Sequence, residues 1–320
     1  MLLLLELLYI RLARKLGIGV EREQGGRRAF VSVGGGIIFI IAAAAAFFCC
    51  PQWSTEAVMV LAGGFLLAVT SYIDDLVTLS APLRLVVQTL LIAAILLPMI
   101  TAGYLAMWLI ALIGCVGYIN SSNFMDGING MLAAYSVVVT ATLIHAACQL
   151  PCNIDMPLLD ANRIIAVNAA LMVALLVFAI FNFRRRAVVF SGDVGAITVG
   201  FFIAVSLTSL MLATGSISML IVVAVYLIDT FATFVQRLLN GENVLSKHHK
   251  HLYQLLVRKG YPQLGVASAY AAIQLAVNFG WTLTPAHLQD LYSLVVGLML
   301  VCVYVAIKRD ISLRLRYNQN

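Results

Sequence analysis

The sequence predicts an all-α, polytopic integral membrane protein of about eleven transmembrane helices, N-terminus outside and C-terminus cytoplasmic. Three observations carry this prediction. Of 320 residues, 62% are apolar and only 11% charged, against about 25% charged and 45–50% apolar in a soluble domain. Apolar runs recur from residue 1 to residue 307, which excludes a soluble enzyme with one anchor, a disordered tail and a coiled coil. The basic residues fall almost entirely between alternate pairs of those runs.

A crossing takes about 20 apolar residues. The expected segments are 1–12, 31–50, 57–73, 85–100, 103–119, 131–150, 164–181, 196–212, 216–234, 266–281 and 291–307, within one transmembrane domain of residues 1–320. The first is long enough only if it continues through Leu16, with Arg11 and Arg14 snorkelling to the interface. A mis-assigned start at Met1 is the other expectation. No cleavable signal peptide is evident, because Arg11, Arg14 and Lys15 follow the apolar stretch and reverse the usual charge order. The six cysteines form no CxxC pair or zinc spacing and read as small apolar residues.

Charge then sets the topology. Nineteen of the 20 Lys and Arg residues lie after segments 1, 3, 5, 7 and 9 or in the C-terminal tail; only Arg163 lies on the other side. The positive-inside bias makes the first set cytoplasmic. The net charge of +6 is therefore a signal of sidedness and gives no reason to expect nucleic acid.

Acids in or beside a span are costly, about 2.5–3.5 kcal/mol at mid-bilayer, so each is a functional candidate. Asp74 and Asp75 end segment 3, Asp126 follows segment 5, Asp193 precedes segment 8, and Asp229 lies within segment 9. All but Asp229 fall in the cytoplasmic loops or their margins. Four stretches, 74–84, 119–130, 183–195 and 235–263, thus collect site-like residues on one face. Asn120, Asn123 and Asn129 surround Asp126 in NSSNFMDGING, whose glycines let backbone turn tightly and approach a ligand. SGDVG, residues 191–195, is similar. His248, His249 and His251 lie among Lys247 and Lys250. Carboxylates and amides are hard oxygen ligands suited to Mg²⁺ shared with substrate phosphates, and the bases suit phosphate oxygens. Blander readings exist for each piece: a solvated cap for Asp74–Asp75, a basic loop touching anionic lipid for the histidines, an anchor for Arg184–Arg186, filler for Phe190, and a structural pair for Asp229 with Arg237. They weaken jointly, since four loops would have to carry such chemistry on one face by chance.

The ordered stretches IDDLVTLSAPLRLVVQ, NSSNFMDGING, FSGDVGAITVG, DTFATFVQRL and HHKHLYQLLVRKG resemble the polyprenyl-phosphate N-acetylhexosamine-1-phosphate transferase family, which includes phospho-N-acetylmuramoyl-pentapeptide translocase. HHKHLYQ is closest to the branch that initiates O-antigen. The resemblance runs from about Gly34 to Gly260. It implies transfer of a sugar 1-phosphate from a UDP-N-acetylhexosamine to undecaprenyl phosphate, releasing UMP and starting a lipid-linked envelope glycan. It also implies Mg²⁺ (with Mn²⁺ as a substitute), a site on the cytoplasmic face of the bacterial inner membrane, surrounding membrane lipids and a homodimer. Residue by residue, it implies catalytic roles for Asp74, Asp75, Asp126, His248 and His251, with Asp74 favoured to deprotonate or orient the lipid phosphate. Asp193 and Asn123 would hold the metal and its diphosphate. Phe190 would stack on uracil and Asn129 read its edge, while Asn120, Arg84 and His249 complete the substrate contacts. Two departures stand out: FVSVGGG, residues 30–36, lacks the proline and arginine usual before the second span, and the first span is short and contains Glu6.

Two rivals belong to other classes. A secondary transporter would put its acids near the midplane and often carries inverted repeats; no repeat is evident and the acids sit at the rim. A non-catalytic scaffold for polysaccharide assembly would not need the intact acidic set.

Overall fold

The computed structural model describes residues 1–317 apart from 25, 26, 102–104, 152–155, 157, 245 and 247. Thirteen α-helices and one hairpin follow in the order α1 (Leu2–Leu16), β1 (Gly19–Gln24), β2 (Arg27–Ser32), α2 (Ile37–Phe48), α3 (Thr55–Val77), α4 (Ala81–Ile95), α5 (Leu97–Thr101), α6 (Leu105–Met125), α7 (Met131–Cys148), α8 (Ala161–Asn182), α9 (Gly192–Thr214), α10 (Ala224–Leu239), α11 (Leu252–Arg258), α12 (Gln263–Leu283) and α13 (Gln289–Tyr317). Among the described residues, seven helical stretches are long and apolar enough to cross a membrane: α3, α6, α7, α8, α9, the stretch Ser218–Leu239 that includes α10, and the stretch Ala286–Leu313 that runs into α13. α2 and α4 are shorter apolar helices. Each expected segment lies on helix; α6 runs on past 119 to take in Asn120 and Asn123, α13 runs on past 307, and three segments differ in their course.

The second segment begins six residues late. Val31 and Ser32 belong to β2, which pairs antiparallel with β1 so that Arg22 faces Ala29. This hairpin was absent from the all-α expectation, although two strand-like runs flanking Gly25-Gly26 are a hairpin signal. The fourth segment divides into α4 and α5 near Pro98, which cannot donate to the helix ladder. The ninth opens as a 3₁₀ turn, Ser218–Val223, before α10. α12 supplies the bonds this break requires. Gln274 donates to the Ile221 carbonyl at 2.9 Å and accepts from the Val225 amide at 3.0 Å, and Asn278 donates to the Val222 carbonyl at 3.3 Å. Backbone polar groups at membrane depth must be satisfied by protein, so these buried amides belong to α12 by necessity.

α9 is the hub. It packs against α3 and α6, while α7 packs on α8 and α12, and α2 on α8. Its small residues allow the closest approaches: a Cβ on Gly36 would come within 2.1 Å of the Gly195 Cα. Glu6 of α1 is wholly buried in the same region, near Gly35.

Candidate active site

The site is built where α3 and α6 end and α9 begins. Thr78 closes α3 with φ +52°, an unusual conformation for a β-branched residue, and its amide donates to the Asp74 carbonyl at 2.9 Å. The turn folds Leu79 back so that its amide donates to the Asp74 carboxylate. Ser80 then starts α4, whose first turn carries Arg84. One Arg84 nitrogen, Nη1, donates at 2.7 Å to both Asp74 Oδ2 and Asp193 Oδ2, joining the end of α3 to the start of α9.

Asp75 makes the second junction. Its two oxygens accept from the Asp193 amide at 2.8 Å and the Val194 amide at 3.1 Å. The first turn of α9 is thus capped by a carboxylate from another helix, where the positive end of the helix dipole favours it. Gly192, at φ +72°, makes room: a Cβ there would meet the Asp75 carboxylate at 2.4 Å.

The third strut is Asp126, just beyond α6. Ser191 donates its hydroxyl to Asp126 Oδ2. Burial, opposed by that bond and reinforced by repulsion from Asp193 and Asp75, pushes the Asp126 carboxyl up to about 7. Asn182 ties the floor together, accepting from the Gly130 amide at 2.7 Å and donating to the Val189 carbonyl at 2.9 Å. The Ser191 segment lies along the glycine loop: Phe190 donates to the Ser32 carbonyl at 2.8 Å, and the Gly35 and Gly36 amides donate back to the Phe190 and Ser191 carbonyls at 3.0 and 2.9 Å. Gly35 and Gly36 therefore work as packing surface for the 189–195 strip, while Gly34 faces Tyr9 and Tyr72.

These struts enclose a cavity of about 220 Å³ bordered by Asp75, Asn123, Asp126, Asp193, Phe190 and Arg22. Asp74 and Arg84 stand behind Asp193. Arg22 comes from the hairpin, and its guanidinium lies 5.3 Å from the Phe190 ring centroid, within cation–π range.

The histidines form a neighbouring group outside that lining. His248 and His251 rings are 4.9 Å apart, and both flank Phe124, the residue after Asn123. His251 is 2% exposed. Its Nδ1 faces Asp229 Oδ1 at 3.3 Å, and a carboxylate only accepts, so Nδ1 donates. Nε2 is then left buried with no partner among the described residues. Asp229 also accepts from the Leu252 amide at 3.0 Å, the Tyr304 hydroxyl at 3.0 Å and, on Oδ2, the Tyr270 hydroxyl at 2.7 Å. Burial and the neighbouring His251, Arg237 and Lys250 depress His248 to about 4, leaving the ring neutral near pH 7. Tyr253 joins the two groups: its hydroxyl donates to the Phe124 carbonyl at 2.8 Å, and a Cβ on Gly127 would lie 2.0 Å from it.

The remaining candidates take other positions. Asn120 donates to Gln88 Oε1 at 2.9 Å, and Asn129 to the Arg184 carbonyl at 2.9 Å; neither lines the cavity. His249 contacts Gln254 at 3.5 Å. Lys247 lies outside the described residues. The Asp229–Arg237 pair is not made, because Arg237 turns to Glu242 at 3.2 Å and to the Asn243 and Val244 carbonyls. Sequence reasoning missed Arg22, Asn182 and the Asp229–His251 bond. An amide ending an apolar run signalled Asn182, but nothing local pointed Arg22 at Phe190, 168 positions away.

Among known proteins, residues 57–213 match the model of glycosyl transferase family 4. The chain is 24% identical to a probable undecaprenyl-phosphate N-acetylglucosaminyl 1-phosphate transferase of Bacillus subtilis (strain 168), over 64% of the chain and 60% of that protein. It is 31% identical to a phospho-N-acetylmuramoyl-pentapeptide-transferase of Leuconostoc citreum (strain KM20), over 38% of the chain and 34% of that protein. The chain thus spans less than two thirds of the length of either relative. The matched stretch holds every candidate residue except Asp229 and the histidines.

Proposed function

We propose that this member of glycosyl transferase family 4 moves a sugar 1-phosphate from a UDP-N-acetylhexosamine onto undecaprenyl phosphate, at the cytoplasmic face of the bacterial inner membrane. The observation that carries the proposal is the convergence of Asp75, Asn123, Asp126 and Asp193 on one cavity, with Arg84 bridging Asp74 and Asp193 behind it. An oxygen of the acceptor phosphate attacks the sugar-side phosphorus of the donor. The bond from that phosphorus to the bridging oxygen breaks, and UMP leaves. Such transfers need positioning and charge neutralisation more than covalent help.

The donor set suits Mg²⁺. All the cavity acids and the amide are hard oxygen ligands, and burial, reinforced by repulsion from Asp193 and Asp75, already raises Asp126. Among the described residues no three acidic or thiol or imidazole groups make a preformed cage, which fits an ion that completes its shell with substrate phosphates and water. Asp193, with Asn123, would hold it, and bound Mg²⁺ would neutralise charge on the transferring phosphates. Arg84 holds Asp74 and Asp193 together and oriented. His248, neutral and beside His251, offers a proton acceptor or a hydrogen bond to the diphosphate or sugar. Phe190 offers a ring face to uracil, with Arg22 over that ring placed to meet phosphate. The choice of sugar turns on one or two hydroxyl contacts, and initiation of O-antigen is the pathway the histidine loop favours.

The test is purified protein with undecaprenyl phosphate, Mg²⁺ and a panel of UDP-sugars, scored by UMP release. Release confined to one or two UDP-N-acetylhexosamines is the expected result. Turnover retained by Asp74→Asn with Asp193→Asn would overturn the enzymatic assignment.

A further inference from the structure

A second cavity, of about 370 Å³, opens between α10 and the last turns of α13, walled by Ala232, Gln236, Tyr304, Lys308, Arg309 and Leu313 among others. It lies where α10 runs into the histidine loop, at the end of the bundle that also carries the carboxylates. Lys308 is 6% exposed. Its ammonium donates to Thr233 Oγ1 at 2.7 Å and to the Tyr304 hydroxyl at 2.9 Å. Both acceptors are neutral, and no ion pair to Lys308 occurs among the described residues. Asp229 balances this charge from one hydroxyl away, through Tyr304 and Thr233, and the third ammonium proton is left for a ligand. Arg309 adds a second, exposed cation at the rim, and Leu313, Val305 and Ala232 make the rest of the wall largely apolar.

Two cations at the end of a spanning helix, above an apolar groove, match an amphiphile with an anionic head. We propose that this cavity binds an anionic phospholipid of the surrounding membrane, its phosphate on Lys308 and Arg309 and an acyl chain along Ala232, Val305 and Leu313. The linings of the two cavities share no residue. The bonds from Lys308 toward His251 pass through Tyr304 and Asp229, so a head group here stays clear of Asp74 and Asp193. A resident lipid therefore fits better than the reacting acceptor. The proposal does not depend on which reaction the first cavity performs.

Native mass spectrometry of the detergent-purified chain, given equal amounts of dioleoyl phosphatidylglycerol and dioleoyl phosphatidylcholine, tests it. Phosphatidylglycerol should be retained at least about fivefold better, the scale of one basic residue's attraction to anionic lipid. Arg309→Gln and Lys308→Met should remove that preference, while Arg258→Gln, at an exposed base elsewhere, should keep it. If Lys308→Met fails to fold, Arg309→Gln decides alone, its melting temperature in phosphatidylcholine matching the unmodified protein. A preference untouched by Arg309→Gln would overturn the site. One-for-one displacement of phosphatidylglycerol by undecaprenyl phosphate would also overturn it, by assigning the cavity to the acceptor.

Discussion

The carboxylate cavity and the histidine loop use the same residue type in opposite ways. Asp193 gives one oxygen to Arg84 and borders open space. Asp229 is fully buried, and its oxygens are taken up by His251, Leu252, Tyr304 and Tyr270. An aspartate saturated by donors cannot take a new ligand; it can only hold its neighbours. An aspartate that borders a cavity beside two other acids has strong reason to recruit a cation or a proton. Hydrogen-bond inventory, and not depth in the helix, separates the acids open to a ligand from the one already engaged.

The sharpest way to break this distinction is Asp193→Asn. It keeps volume and removes charge, so UMP release should fall by at least about 10³, the scale of a lost transition-state electrostatic contact, with a melting temperature near that of the unmodified protein. A large fall in melting temperature would make Asp193 structural.

Asp229→Asn should do the reverse in stability. Breaking a buried charged network costs on the order of 3–5 kcal/mol, read as a markedly lower melting temperature. Tyr304→Phe removes one donor and should cost about 1 kcal/mol. Equal melting temperatures for Asp193→Asn and Asp229→Asn would erase the contrast between the two regions.

A smaller effect sharpens the proposed nucleotide end of the cavity. Phe190→Ala should raise the KM for the UDP-sugar roughly 5- to 150-fold, from about 1–3 kcal/mol of base stacking, with little change for the lipid acceptor. Phe190→Tyr should retain most of the affinity. Equal harm to both substrates with lost stability would make the ring structural filler between Arg22 and the glycine loop.

The smallest effect is a pH slope. Asp126 is raised to about 7 in the folded chain, above its unfolded value near 4. The folded state therefore holds the proton more tightly, and this contribution to stability, present below pH 4, is lost as pH rises to about 7. Asp126→Asn should flatten that part of the melting-temperature profile. An identical slope in the variant would remove Asp126 as its source.

Much of the molecule was legible before any coordinates. Period and length placed helix on every expected segment, because a bilayer leaves backbone few alternatives. Sparse acids and amides marked three stretches that meet at the carboxylate cavity and a fourth beside it, since few such groups are tolerated near a membrane. The hairpin escaped because its charged face, Glu21, Arg22 and Glu23, reads as a solvated loop. The 3₁₀ turn escaped because its partners, Gln274 and Asn278, lie some fifty residues downstream.

By itself the sequence determined the apolar helices, their charge asymmetry and which polar groups had to gather at one end. Composition and spacing are local properties, and the membrane turns them directly into spans and loops. Only the tertiary structure decided which oxygen of which aspartate is spent. Asp75 caps α9, Asp229 holds His251, and Arg84 spans Asp74 and Asp193, each across 10 to more than 100 residues of chain. Those pairings depend on where α3, α6, α9 and α10 end relative to one another, and helix packing sets that, not any single stretch of sequence.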